Sequence, residues 1–125
     1  MEVLGHGIDT ISVLKVAQLL KRNSEFLYGW FSAGEIAELE TGSANAQTVA
    51  GRVVAKEAIV KALGTGFDDS VSWQDVEVFR TPNGEPEVVL SGGAKEAATQ
   101  KGVTKVFVSL SHTAEHAVAS AILLG

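Results

Sequence analysis

Residues 52–64, Arg-Val-Val-Ala-Lys-Glu-Ala-Ile-Val-Lys-Ala-Leu-Gly, constrain this chain more than any other stretch, because they set four charged side chains into a helix otherwise apolar almost all round. At about 100° per residue, Arg52 and Lys56 share one stripe and Glu57 and Lys61 share another, roughly 140° away. Val53, Val54, Ala55, Ala58, Ile59, Val60, Ala62 and Leu63 fill most of the remaining circumference. A helix apolar on nearly every side is a buried one, and Lys, Glu and Arg are almost never buried unless paired. Each stripe therefore calls for a counter-charge, a metal, a phosphate or a narrow channel to solvent. The alternative is an Arg and a Lys that snorkel to the surface beside an ordinary Glu57–Lys61 pair one turn apart.

The rest of the chain suits a single domain over residues 1–125, long enough to bury a core and too short for two. A formal net charge of −5 argues against a nucleic-acid partner, since phosphate backbones are bound mainly through basic faces. The longest strongly apolar run, Ala117 to Leu124, falls far below the roughly 18 to 20 residues of a membrane span. Met1 to Gly5 lacks the features of a signal peptide, so no membrane partner and a cytoplasmic location are expected. Without cysteine there are no disulfides, thiolate metal sites or cysteine nucleophiles.

Glu2 to Asp9 reads as a strand ending at Asp9, in which Gly5 and Gly7 leave room for a close backbone or a ligand. Val13 to Arg22 has the spacing of an amphipathic helix with a basic side of Lys15, Gln18 and Arg22. After the aromatic cluster Phe26, Tyr28, Trp30 and Phe31, Ser32-x-x-Glu35 has the capping-box pattern and starts a short helix through about Glu40. A loop from Gly42 to Asn45 leads into the long helix, which Gly64 closes. Then the period changes. Asn83-Gly84 lies between apolar runs as a hairpin signal, with Pro86 at a strand start. A helix from about Ala94 to Lys101 follows, and then strands Val106–Leu110 and Ala117–Leu124. The expected class is α+β: a mainly antiparallel sheet of about five strands packed with three to four helices.

Asp9 and Glu57 are the carboxylates most suited to act together. Two carboxylates with waters commonly hold Mg²⁺, which takes its other ligands from substrate phosphates, and Lys61, one turn from Glu57, would suit such a phosphate. Gly64-Thr65-Gly66 lacks the Lys-Ser/Thr of a P-loop. Ser111 and His112 adjoin on a strand and so point to opposite faces, which disfavours a nucleophile-and-base pair. His112 reads better as an anion contact or a strand cap. The three histidines show no transition-metal spacing.

Taken in order, Gly5-His6-Gly7-Ile8-Asp9, Phe31-Ser32-x-x-Glu35, Arg52-x-x-Ala55-Lys56-Glu57-Ala58-x-x-Lys61-Ala62-Leu63-Gly64-Thr65-Gly66, Asn83-Gly84-x-Pro86 and Val108-Ser109-Leu110-Ser111-His112 resemble the holo-acyl-carrier-protein synthases, small bacterial 4′-phosphopantetheinyl transferases. The resemblance spans Gly5 to Leu123. It implies the phosphopantetheinyl transferase fold, coenzyme A as substrate, transfer of 4′-phosphopantetheine to a serine of apo acyl carrier protein, and a homotrimer with interfacial active sites. Asp9 and Glu57 match its Mg²⁺ ligands and Lys61 a pyrophosphate contact. Arg52 and His112 match positions near the 3′-phosphate of coenzyme A, and Gly64 and Pro86 fall among the coenzyme-binding positions. Glu57, directly or through water, would take the serine proton, so Asp9, Glu57 and Lys61 form the expected catalytic set. The stripe Lys15, Gln18 and Arg22 would dock the carrier. One stripe of the long helix would face a site in its own subunit and the other a neighbour's.

Four departures from the family pattern stand out: Lys15 in place of Arg, Ser12 in place of Glu, Val53-Val54 in place of an aromatic-small pair, and His116 in place of an aromatic. The first two leave open the same chemistry on a specialised polyketide or peptide-synthesis carrier. A trimeric, non-catalytic nucleotide-binding module is the competing class; it would have no need of Asp9, Glu57 and Lys61 together.

Overall fold

In the computed structural model, which describes residues 1–41 and 45–125, β1 runs from Val3 to Ser12 and does not end at Asp9. It continues because β5 (His116–Leu124) pairs antiparallel beside it down to Ser12 opposite His116. Ser12 then turns the chain into α1 (Val13–Arg22), its hydroxyl accepting from the Lys15 N–H at 3.2 Å. That N-cap gives the departure at Ser12 a local structural use. The aromatic cluster forms a short helix that periodicity does not reveal, α2 (Phe26–Trp30). It is held by ring packing: Trp30 stacks on Trp73 at 4.6 Å and Trp73 on Phe67 at 4.0 Å.

The capping box at Ser32 and Glu35 forms as expected and starts α3 (Ala33–Thr41). Of the expected loop Gly42 to Asn45, only Asn45 is among the described residues; its side chain accepts from the Thr48 N–H at 2.9 Å and caps α4 (Ala46–Leu63). Gly64 ends α4 at φ 79°, in the left-handed region where a side chain would be strained. Beyond a 3₁₀ turn at Trp73–Asp75 come the hairpin strands β2 (Val76–Arg80) and β3 (Pro86–Leu90), joined through a connection that holds Asn83 and Gly84. Helix α5 (Gly92–Lys101) and β4 (Lys105–His112) complete the fold.

The strands divide into two antiparallel sheets, β1-β5-β4 and β2-β3, where one sheet of about five was expected. Helix α5 intervenes between β3 and β4 in the chain. α4 crosses the inner face of the three-stranded sheet, running from Gly51 over Leu110 of β4 to Ala58 and Ala62 over β1. Contact is backbone to backbone: a Cβ on Gly7 would lie 2.1 Å from the Ala58 carbonyl oxygen, and one on Gly5 2.3 Å from that of Ala62. The glycines thus admit a helix, not a ligand. On its other sides α4 packs against α1 and β2, and Val49, Val53, Val54, Ile59 and Leu63 are buried. The outer face of the sheet stays open and carries Ile8, Phe107, Val118 and Ile122, all exposed.

Candidate active site

Because β1 and α4 meet through glycine, Asp9 and Glu57 come into hydrogen-bond contact across 47 intervening residues of chain. The Glu57 carboxyl, half-buried, is pushed up to about 7 from 4.5 by burial, by its hydrogen bond to Asp9 and by the Asp9 charge, with Lys61 opposing. Burial also acts to raise Asp9, but the bond from Glu57, the Thr10 N–H at 2.9 Å and Lys61 outweigh it and hold this carboxyl below its usual range. Two interacting carboxyls share their titration, so below about pH 7 the pair keeps one proton, on Glu57, while Asp9 is ionised. Lys61, 53% exposed along its side chain, donates to Asp9 Oδ1 and to the Ile8 carbonyl, both at 3.2 Å. Its ion-pair partner is therefore Asp9, across the strand, where the alternative reading paired it with Glu57 one turn away.

The other stripe does not snorkel. Lys56 is fully buried, and its Nζ donates to Glu35 Oε1 at 2.7 Å, to the Trp73 carbonyl at 2.9 Å and to the Val76 carbonyl at 2.6 Å. Burial pushes this ammonium below its usual value, with Glu35 opposing. Glu35 is equally buried and also accepts from the Ser32 and Val78 amides. Arg52 pairs with Glu38 and donates to the Val78 carbonyl at 2.7 Å. This stripe closes on α3 and β2 of its own chain. Glu35 and Glu38, three apart on α3, match Arg52 and Lys56, four apart on α4; that complementary spacing is the sequence signal for the clasp.

Arg52 also borders a cavity of about 140 Å³ with Phe79, Arg80, Pro86, Val108 and Leu110. Pro86 is thereby placed beside Arg52. His112 is exposed at the end of β4, opposite Ala117, which in turn lies opposite Ile11; this register puts it on the Asp9 side of the sheet. Gly64 follows the last turn of α4. The next residue, Thr65, has a buried hydroxyl with no hydrogen-bond partner among the described residues, a feature sequence alone did not signal. Lys15, Gln18 and Arg22 are all exposed on α1, with Leu14 65% exposed beside them.

A pair of carboxylates and a lysine at a helix–strand seam, in an α+β frame, suits group transfer at a phosphate. The chain belongs to the 4′-phosphopantetheinyl transferase superfamily, whose model matches residues 5–121. Among curated relatives, the holo-acyl-carrier-protein synthase of Clostridium acetobutylicum is 41% identical over 121 residues, covering 97% of each chain. The crystal structure of the Neisseria meningitidis holo-acyl-carrier-protein synthase has the same fold, at a TM-score of 0.90 with 24% identity over 99% of this chain and 100% of that one. The holo-acyl-carrier-protein synthase of Bacillus anthracis, solved in complex with CoA (3′,5′-ADP), matches at a TM-score of 0.80 with 32% identity, over 97% of this chain and 96% of that one.

Proposed function

We propose that this chain transfers 4′-phosphopantetheine from coenzyme A to a serine hydroxyl of apo acyl carrier protein in fatty-acid synthesis, releasing adenosine 3′,5′-bisphosphate. The observation that carries the reading is the meeting of Asp9, Glu57 and Lys61, in a chain of this family. In the reaction the serine oxygen bonds to the β-phosphorus of coenzyme A, and the bond from that phosphorus to the oxygen bridging to the α-phosphate breaks. Positioning and electrostatics dominate such a transfer.

The chain supplies three parts. Glu57 takes the serine proton, directly or through water; a carboxyl pushed up to about 7 is well matched to that task near neutrality. Asp9 stays ionised, held so by the Thr10 amide and Lys61. Lys61 spends two donors on Ile8 and Asp9 and has a third for a pyrophosphate oxygen. The residues fit Mg²⁺: two hard carboxylates are forced together at a cost that a divalent cation would relieve. Among the described residues no third Asp, Glu or His completes a metal-holding group, so substrate phosphate and water would supply the other ligands. A bound Mg²⁺ would neutralise the pyrophosphate charge.

Arg52 and His112 are the proposed contacts of the 3′-phosphate, with Pro86 walling the cavity beside Arg52 and Gly64 and the unpartnered Thr65 hydroxyl facing the coenzyme. Carrier docking is assigned to Lys15, Gln18 and Arg22, whose local positive charge meets an acidic carrier helix. The open sheet face of Ile8, Phe107, Val118 and Ile122 supports a homotrimer with sites between subunits, since contiguous exposed apolar surface marks association. Among the described residues no helix is long and apolar enough to cross a membrane, and we place the reaction in the cytoplasm. Mass spectrometry tests the activity: apo carrier incubated with coenzyme A, Mg²⁺ and this protein gains one phosphopantetheine, and Asp9→Asn abolishes the gain. An unmodified carrier that a known synthase does modify would overturn the proposal.

A further inference from the structure

The helix that carries Glu57 and Lys61 is buried on almost every side but scarcely amphipathic, so apolar burial alone leaves its rotation about its own axis loosely determined. On the sheet side its steric guide is the stripe Gly51, Ala55, Ala58 and Ala62, which spans about 60°. The carboxylate pair is less tolerant: a group about 6 Å from the helix axis moves about 2 Å for a 20° rotation, enough to break its hydrogen bond. Directional bonds hold such a phase more narrowly than non-directional packing does.

We infer that Lys56 and Arg52 are positioning residues: their directional bonds to Glu35, Glu38 and the Trp73, Val76 and Val78 carbonyls set the rotation of α4, and so bring Glu57 and Lys61 onto Asp9. The two charged stripes flank the sheet-facing stripe, about 140° apart. Pinning one flank therefore fixes the other. Three bonds of 2.6 to 2.9 Å on a single ammonium leave little angular freedom, and Glu35 is itself anchored by the Ser32 and Val78 amides. Fixing a register is the best-attested use of a buried charge pair, since as a source of stability such a pair gains little over apolar packing. For its catalytic consequence the inference rests on the transferase reading.

The test is Lys56→Met combined with Glu35→Gln. The amide keeps an acceptor for the Val78 N–H, while methionine fills the space of lysine without its bonds. Assayed well below its melting temperature and normalised to folded protein, this variant is expected to lose tenfold or more in kcat. The Mg²⁺ concentration for half-maximal rate should rise at least threefold, and a crystal structure should show the Glu57 carboxylate turned away from Asp9. Glu35→Gln alone, with Lys56 still bonded to two carbonyls, should keep kcat within threefold of the parent. A folded double variant with parental kcat, Mg²⁺ dependence and carboxylate contact would overturn the inference. If the double variant does not fold, Lys56→Gln replaces it, since its amide can satisfy one of the two carbonyls, and parental values there overturn the inference equally. If the parent transfers no phosphopantetheine, the transferase reading falls, and the crystal structures still decide the helix phase.

Discussion

Replacing Glu57 by glutamine should make the metal-free protein more stable above neutral pH while removing its activity. The carboxyl is pushed from 4.5 up to about 7, so its protonated form is the one that folding favours. The stability it contributes is fully present below pH 4.5 and is lost as pH rises through 7. At 1.36 kcal/mol per pKa unit the whole shift amounts to about 3 kcal/mol; the group is partly open to water, and screening reduces this to about 1–2 kcal/mol. Asp9 shifts downward, so its contribution is lost only as pH falls below 3.8, outside this window. Glutamine keeps a donor toward Asp9 and does not ionise. Urea denaturation in EDTA should therefore show the variant gaining on the parent between pH 4.5 and 7 and holding a lead of about 1–2 kcal/mol at pH 8, equivalent to about 4–8 °C in Tm. Mg²⁺ at pH 8 should raise the parent's Tm more than the variant's, because only the parent brings two carboxylates to the ion. A difference that stays flat from pH 4.5 to 8, or a parent more stable than the variant at pH 8, would refute the reasoning.

Gly7→Ala sets a methyl 2.1 Å from the Ala58 carbonyl oxygen, so β1 and α4 must part; urea denaturation should show a loss of about 3 kcal/mol or more. Lys15→Glu should raise the carrier KM in steady-state assays and leave the coenzyme KM nearly unchanged, with rising salt weakening the parent's docking in the same sense. Arg52→Ala should weaken coenzyme A binding more than dephospho-coenzyme A binding in calorimetry, the two losses failing to add if the guanidinium reads the 3′-phosphate. Equal losses for the two ligands would confine Arg52 to its bonds with Glu38 and Val78.

What the sequence determined by itself was local or periodic. The Ser32–Glu35 capping box, the Gly64 stop, the amphipathic α1 and the start of β3 at Pro86 all rest on bonds or spacings within a few residues. The demand that charges on α4 find partners was also legible, because an apolar helix cannot bury them alone. Which partners they find was a tertiary matter. Lys56 could have reached solvent; it is enclosed because α3, the 3₁₀ turn and β2 converge on it. The length of β1 depended on β5, more than a hundred residues away in the chain, and α2 on ring stacking with Trp73 and Phe67. The Asp9–Glu57 contact lies between these cases. The sequence named both residues, and their distance was decided by two glycines that let a strand touch a helix backbone, a contact whose partner no local pattern encodes.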